Sequence, residues 1–268
     1  KNATGILENL VNCVNDKKEK GYIKQLFAEY TNLDDKVEAQ KIQMSAVTDN
    51  HRVLKPIQGI QYHKISGDAF DQSVSSSVYL REKQNDPNKL IIEVNGILDD
   101  LQFKEDSSNR FEEALKNIAR YLGFISQRPE IEYNKGPDVL WKIGQLNFFV
   151  IECKNEATVT TIGKDYCNQL NGSCNWFEEK YDHTCSYTPI IVHPSSVFEN
   201  AASPHSGARI ITKKELDKFC SSVRDFIKAI SSNNELGNPE SIRQKLIAYK
   251  LRAGDLIDNY TINYKVKN

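Results

Sequence analysis

The longest apolar run of the sequence, residues 146–153, constrains the fold more than any other segment. It is interrupted by Asn147 and Glu152, and Lys154 follows it directly. A run of this length fits a strand that is buried on both faces, and it is far shorter than the ~20 residues that a membrane-spanning helix needs. We therefore predict a central strand of a buried sheet and no membrane association.

The segments around this strand alternate between helical and strand-like patterns. Apolar residues recur on one face of the helix predicted at 109–122, and Gly123 follows this helix as a stop signal. The order of the segments predicts an α/β class in which helices flank a central sheet. The predicted bounds are 109–122 (helix), 131–133, 139–143 and 146–153 (strands), 162–181 (helix), 188–193 and 208–212 (strands) and 213–230 (helix).

We divide the chain into three regions around this core. The core itself covers residues 103–232, and residues 1–102 form an accessory region with helices first and a small sheet after. Helical periodicity marks residues 1–48, whereas short apolar runs at 78–80 and 90–94 favour two strands. Residues 233–268 are expected to form one C-terminal helix at 240–257 and a short strand within 260–266.

Composition excludes several classes of protein. The formal net charge is -1. The chain therefore lacks the overall positive electrostatic field that would indicate a nucleic-acid-binding or membrane-surface protein. Six cysteines are too few for a disulfide scaffold, which favours a reducing cytoplasm. The spacings between Cys167, Cys174 and Cys185 match no structural zinc pattern. Because the chain begins Lys-Asn-Ala without a leader pattern, we expect a processed protein or a fragment of a longer one.

The charged residues at the end of the apolar strand are the strongest chemical signal. Glu152 and Lys154 point to the same face, because side chains alternate along a strand. Asp138 precedes the neighbouring predicted strand, and a hairpin around Gly144 would bring it beside them. Two carboxylates and a lysine predict a site for Mg²⁺, with Mn²⁺ as a substitute, that promotes phosphodiester hydrolysis. The alternatives are a turn residue at Asp138 and an exposed ion pair between Glu152 and Lys154.

Competing catalytic patterns are weaker in this sequence. No Ser-His-Asp or Cys-His arrangement for nucleophilic catalysis stands out. The glycines form neither a phosphate-binding loop nor a dinucleotide fingerprint, so nucleotide hydrolysis lacks its usual phosphate cradle. Glu156 is expected to be a loop carboxylate, with binding of a second ion as its alternative role.

The same residues resemble the PD-(D/E)xK restriction-endonuclease-like superfamily. The pattern consists of Phe111-Glu112, Leu122-Gly123-Phe124, Pro137-Asp138 and Glu152-x-Lys154, within residues 108–231. The resemblance implies a restriction-endonuclease-like core with a mixed central sheet. It also implies that Asp138, Glu152 and the backbone carbonyl of Cys153 hold the metal, that Lys154 is catalytic and that Glu112 is the carboxylate of the first helix. On the next helix, Gln169 would lie near the active site and Lys164 would contact the phosphate backbone.

By this resemblance, the expected function is that of a Mg²⁺-dependent endonuclease acting on DNA. We expect it to be the effector domain of a prokaryotic restriction or antiphage-defence protein, with a helicase, ATPase or sensor segment upstream or on another subunit. The accessory region is expected to mediate self-association as a homo-oligomer. The alternatives are a catalytically inactive nucleic-acid-binding or assembly module, and a protein–protein interaction domain. Because the chain is near-neutral, the isolated domain should bind DNA weakly and with strong salt dependence.

Overall fold

The structure is a computed structural model that describes residues 2–55, 62–65, 71–83, 86–133, 135–181, 184–232 and 235–267. The chain divides into two compact units. Unit 1 consists of residues 1–63 and 129–135, and unit 2 consists of residues 64–128 and 136–268. The boundaries predicted after residues 102 and 232 therefore both fall inside unit 2.

Helices form most of the described secondary structure. None of the helices in the described ranges is long and apolar enough to cross a membrane. The helices are α1 Asn2–Cys13, α2 Lys17–Thr31, α3 Lys36–Asp49, α4 Gln72–Lys83, α5 Pro87–Asp99, α6 Ser108–Tyr121, α7 Pro129–Tyr133, α8 Lys164–Tyr181, α9 Lys213–Ser232, α10 Pro239–Ala248 and α11 Ala253–Tyr260.

Unit 1 contains α1, α2, α3 and α7. Asp16 and Asp35 cap α2 and α3, because the side chain of each accepts a hydrogen bond from a backbone N–H three residues later. The short helix α7 packs on α3. Its last residue, Tyr133, lies edge-on to the Tyr62 ring at a centroid distance of 5.1 Å, and the Lys36 ammonium lies 5.6 Å from the Tyr133 ring.

A mixed six-stranded sheet forms the centre of unit 2. Its strand order is β1-β2-β3-β4-β6-β7, in which β3, β4 and β6 are parallel and the other pairs are antiparallel. Strands β5 and β8 form a separate parallel pair. The α/β class predicted from the sequence is confirmed. The strands are β1 Ile125–Gln127, β2 Val139–Lys142, β3 Asn147–Cys153, β4 Ser186–Val192, β5 Val197–Phe198, β6 Arg209–Ile211, β7 Ile262–Asn263 and β8 Lys265–Val266.

The predicted central strand is β3, and it is buried on both faces. Every residue of β3 except Asn147 is buried. Phe149 and Ile151 belong to the main hydrophobic core, whereas Phe148 packs on Phe177 of α8, with 5.1 Å between ring centroids. Burial on both faces explains why the sequence of this strand is a continuous apolar run rather than an alternating one.

The predicted small sheet of the accessory region is wrong where the structure describes it. The apolar runs at 78–80 and 90–94 lie in the helices α4 and α5. Three of the four buried residues of α4 are serines, so this helix carries no apolar stripe that would reveal its period. Helix α5 has a standard start that the prediction overlooked, with Asp86 as N-cap and Pro87 in its first turn. Residues 56–61 and 66–70 lie outside the described part of the chain.

Two further element predictions differ from the structure. The strand predicted at 131–133 is wrong, because these residues lie in α7, whereas β1 was not predicted. The single helix predicted at 240–257 is divided into α10 and α11. The division occurs at Lys250, whose φ of 59° is incompatible with a continuous right-handed helix. The strand predicted within 260–266 is present as β7 and β8.

Candidate active site

The hairpin of β2 and β3 brings Asp138 to the end of the apolar strand, as the sequence predicts. Val139 pairs with Ile151 in antiparallel register, which places Asp138 opposite Glu152. Asp138 is 5% exposed, and its Oδ2 accepts a hydrogen bond of 2.7 Å from the backbone N–H of Cys153. This bond fixes the carboxylate at the junction of the two strands.

Lys154 lies between the two carboxylates. Its Nζ donates to Glu152 Oε2 at 3.0 Å and to Asp138 Oδ2 at 3.4 Å. Its backbone N–H donates to the carbonyl of Val192 at 2.8 Å, so the position of Lys154 is fixed by β4. Because Glu152 is only 4% exposed, this is a buried ion pair rather than the exposed pair considered as an alternative.

Helix α8 contributes a residue that the sequence analysis missed. The Ser173 hydroxyl donates to Glu152 Oε1 at 2.6 Å, and Ser173 is buried. Gln169, the residue proposed from the resemblance, lies one turn earlier on α8 and is exposed, and no described hydrogen bond joins it to the site. Lys164, the first residue of α8, is also exposed. Ser173 follows Gln169 by four residues, but Ser173 is buried whereas Gln169 is exposed.

Arg128 is a second residue that the sequence analysis missed. It follows β1, is 3% exposed, and its guanidinium donates to a carboxylate oxygen of Glu112 on α6. The same group donates to Asn109 Oδ1 at 2.8 Å and to Glu113 Oε2 at 3.3 Å. Glu112 has 13% of its side chain exposed and Glu113 has 45%, so Glu112 is the more buried of the two carboxylates on this helix.

The electrostatics of the site are dominated by buried negative charge. The pKa of Glu112 is raised to about 7, first by burial and then by the charge of Asp138, although the cations Arg128 and Lys154 act in the opposite direction. The pKa of Glu152 is also raised, first by burial and then by Asp138. The site contains three carboxylates, and only two cations, Arg128 and Lys154, lie beside them. The fully ionised site therefore carries excess negative charge.

Lys154 holds its proton firmly in this environment. Burial alone would lower the pKa of its ammonium group, but the charges of Glu152 and Asp138 outweigh burial and raise it. Burial raises the pKa of the Cys153 thiol well above its usual value, and the neighbouring carboxylates act in the same direction. The thiol is therefore protonated at neutral pH, so only the carbonyl oxygen of Cys153 is suited to a hard cation.

The residues present fit a hard divalent cation in charge and in donor type. Carboxylate and carbonyl oxygens are the ligands that Mg²⁺ prefers. The pKa of Glu152 is raised first by burial and then by the charge of Asp138, and a bound cation would offset both. Within the described ranges, however, no three His, Cys, Asp or Glu side chains are grouped so that they could hold a metal ion. The ammonium of Lys154 instead bridges Asp138 and Glu152.

Comparisons of the chain with models of known protein families, with curated proteins and with solved structures found no match. The chemistry of the site therefore rests on its own geometry.

Proposed function

We propose that this chain is a Mg²⁺-dependent nuclease that hydrolyses phosphodiester bonds of DNA, with Mn²⁺ able to replace Mg²⁺. The observation that carries the proposal is the pair of buried carboxylates, Asp138 and Glu152, which flank Lys154 at the end of β3. Burying two carboxylates beside each other costs free energy unless positive charge compensates them, and one lysine compensates only part of it.

Each residue has a distinct role in the proposed reaction. Asp138, Glu152 and the Cys153 carbonyl would hold the cation, which when bound would polarise the phosphate and supply an activated water. Because its pKa is raised, Lys154 stays protonated and stabilises negative charge on the phosphate rather than acting as a base. Glu112, with a pKa of about 7, exchanges a proton with water near neutral pH.

The proposed core is restriction-endonuclease-like. The order α6, β1, β2, β3, α8, β4, β6 and α9 supports this proposal, with α7 inserted after β1 and β5 after β4. The mixed direction of the strands also supports it. The preference for DNA and the role as effector domain of a restriction or antiphage-defence system follow from the resemblance of the motif. In this proposal another segment or subunit holds the substrate, because the chain itself is near-neutral.

Cleavage of labelled oligonucleotides tests the proposal. Double-stranded DNA, single-stranded DNA and RNA are incubated with the protein in Mg²⁺, Mn²⁺ or EDTA. Asp138→Asn and Lys154→Ala are expected to slow cleavage by roughly 100-fold or more. Glu113→Gln is the matched control, because Glu113 also contacts Arg128 but is far more exposed than Glu112, and it should retain activity.

Two outcomes contradict the proposal. One is wild-type protein that cuts none of these substrates in Mg²⁺ or Mn²⁺. The other is cleavage by Asp138→Asn and Lys154→Ala at the wild-type rate, which would assign the activity to a contaminant or to another site.

The ion pairs of Lys154 favour a second candidate function. Because its ammonium already pairs with both Asp138 and Glu152, the same geometry suits a nucleic-acid-binding or assembly module that does not turn over. Titration calorimetry with Mn²⁺ separates the two functions. Stoichiometric binding that Glu152→Ala weakens supports the nuclease, whereas DNA binding without any Mn²⁺ binding supports the inactive module.

A further inference from the structure

The loop after Lys154 is fastened to the start of α6. Glu156 Oε1 accepts hydrogen bonds from the backbone N–H groups of Ser107, at 2.7 Å, and Ser108, at 2.6 Å. These two N–H groups belong to the first turn of the helix that carries Glu112. The carboxylate therefore satisfies two donors that a helix N-terminus leaves unpaired, from a position 48 residues further along the chain.

Ser107 cannot cap the helix itself in this arrangement. It occupies the N-cap position, but its side chain makes no capping hydrogen bond. Its hydroxyl instead donates to the carbonyl of Lys104 and accepts from Asn155 Nδ2 at 2.9 Å. Asn155 is 1% exposed, so the loop is held by a buried contact beside the exposed one. We call Asn155, Glu156, Ser107 and Ser108 the α6 clasp.

The charge of Glu156 suits this position. The N–H groups of Ser108 and Ser107 lower the pKa of its carboxyl group, so Glu156 is ionised at neutral pH. A negative charge at a helix N-terminus also interacts favourably with the helix dipole. A role for Glu156 as ligand of a second ion would compete with these contacts.

The clasp connects the two chain segments that carry the site. Glu112 lies one turn into α6, and Glu156 follows Lys154 by two residues. Apolar residues such as Phe111 and Leu115 also hold α6, and Arg128 donates hydrogen bonds to its Asn109 and Glu112 side chains. The clasp differs from these contacts because it joins the first turn of α6 to the segment that follows Lys154. The hydrogen bonds of the clasp are directional. They fix the position of the first turn of α6 relative to the segment that follows β3.

We infer that Glu156 is a positioning residue that aligns Glu112 with Glu152 and Lys154. This inference rests on the proposed nuclease function. It follows that loss of the Glu156 carboxylate displaces Glu112 without removing any group that touches the substrate. Displacements of about 1 Å in an active site lower rates by on the order of 100-fold.

Three variants test the inference. Glu156→Ala removes the acceptor, and Glu156→Gln keeps an acceptor oxygen in its place. Asn238→Ala is the matched control, because the Asn238 side chain caps α10 through the N–H groups of Glu240 and Ser241, at 3.1 and 3.2 Å. Each alanine variant thus loses one helix cap in unit 2, and only one of the two caps joins the site.

The measurements are kcat and KM for cleavage, Mn²⁺ affinity by titration calorimetry and the melting temperature. Glu156→Ala should lower kcat by roughly 10- to 100-fold with little change in KM. It should also weaken Mn²⁺ binding, because the segment that the clasp holds follows the proposed ligands Glu152 and Cys153 directly. Glu156→Gln should restore most of kcat. Asn238→Ala should lower the melting temperature to a similar extent and leave both kcat and Mn²⁺ affinity at wild-type values.

The failure of the inference and the failure of the proposed function give different results. If the wild type cleaves DNA but Glu156→Ala has the kcat of the wild type or of Asn238→Ala, Glu156 is not a positioning residue. If the wild type binds Mn²⁺ without cleaving, equal Mn²⁺ affinity in the wild type and Glu156→Ala overturns the inference. A wild type that neither cleaves nor binds Mn²⁺ overturns the proposed function, and the inference with it.

Discussion

The raised pKa of Glu112 makes the stability of the protein depend on pH in a predictable direction. In the folded protein its carboxyl group keeps a proton up to a pH of about 7, whereas its ordinary pKa is 4.5. The folded state therefore binds the proton more tightly than the unfolded state does. The resulting stabilisation is fully present below pH 4.5 and is lost as the pH rises through about 7.

The size of this effect follows from the same pKa values. Each pKa unit corresponds to about 1.4 kcal/mol, so a rise from 4.5 to about 7 is worth about 3.5 kcal/mol. About 2.5 kcal/mol of that total falls between roughly pH 5 and pH 8. Glu112→Gln removes the titration but keeps an acceptor for Arg128, so it should shift the whole stability curve without this slope.

Urea unfolding followed by circular dichroism, in EDTA, measures the effect. The unfolding free energies of the wild type and Glu112→Gln are compared across this pH range, and the wild type should lose about 2.5 kcal/mol relative to the variant. Glu113→Gln is the control, because it also changes a carboxylate that contacts Arg128 but keeps Glu112, and it should lose as much stability across this pH range as the wild type. Parallel stability curves for wild type and Glu112→Gln would refute the raised pKa of Glu112.

Two further variants test contacts around the site. Gly123→Ala should lower the free energy of unfolding by about 3 kcal/mol in urea titrations, because Gly123 has a φ of 83° and an added Cβ would lie 2.1 Å from the carbonyl oxygen of Gln72; a loss below about 1 kcal/mol would contradict this. Ser173→Ala removes the hydroxyl that lowers the pKa of Glu152, so that pKa should rise. Mn²⁺ affinity at neutral pH should then weaken by roughly 10-fold in calorimetry, and unchanged affinity would show that Ser173 does not support a metal ligand.

The sequence predicts the part of the fold whose pattern has a single interpretation. The run at 146–153 is too long and too apolar for a surface strand, and β3 confirms its burial on both faces. The helix predicted at 109–122 corresponds to α6, because its apolar residues repeat at helical spacing and Gly123 adopts a positive φ directly after it. In both segments the local preference and the tertiary packing agree.

The wrong predictions arise where packing uses small polar residues. In α4 the buried Ser76 donates its hydroxyl to the carbonyl of Tyr121, a contact that no hydrophobic pattern reports. Short apolar runs such as 90–94 fit a strand or a helix equally well, and the Asp86-Pro87 start decides between them. Helix-start signals therefore deserve more weight than the apolar run in such segments.

The residues of the candidate site also divide into those that the sequence predicts and those that it does not. Asp138, Glu152 and Lys154 are predictable together, because strand alternation and one hairpin determine their proximity. Arg128 and Ser173 are not, since each reaches its carboxylate from another element of the fold. A residue that supports a charged group through space leaves no spacing in the sequence by which to identify it.

Helix α7 has a consequence for how this chain can be divided experimentally. Its residues belong to unit 1, yet in the sequence they lie between Arg128 and Asp138 of unit 2. A truncated protein that starts at residue 64 keeps α7 and loses α3, its packing partner, and a fragment that ends at residue 63 keeps α3 without α7. No single cut in the gene yields two complete units. Co-expression of fragments divided at residue 63 is the direct way to find out whether unit 1 recovers its fourth helix from the other piece.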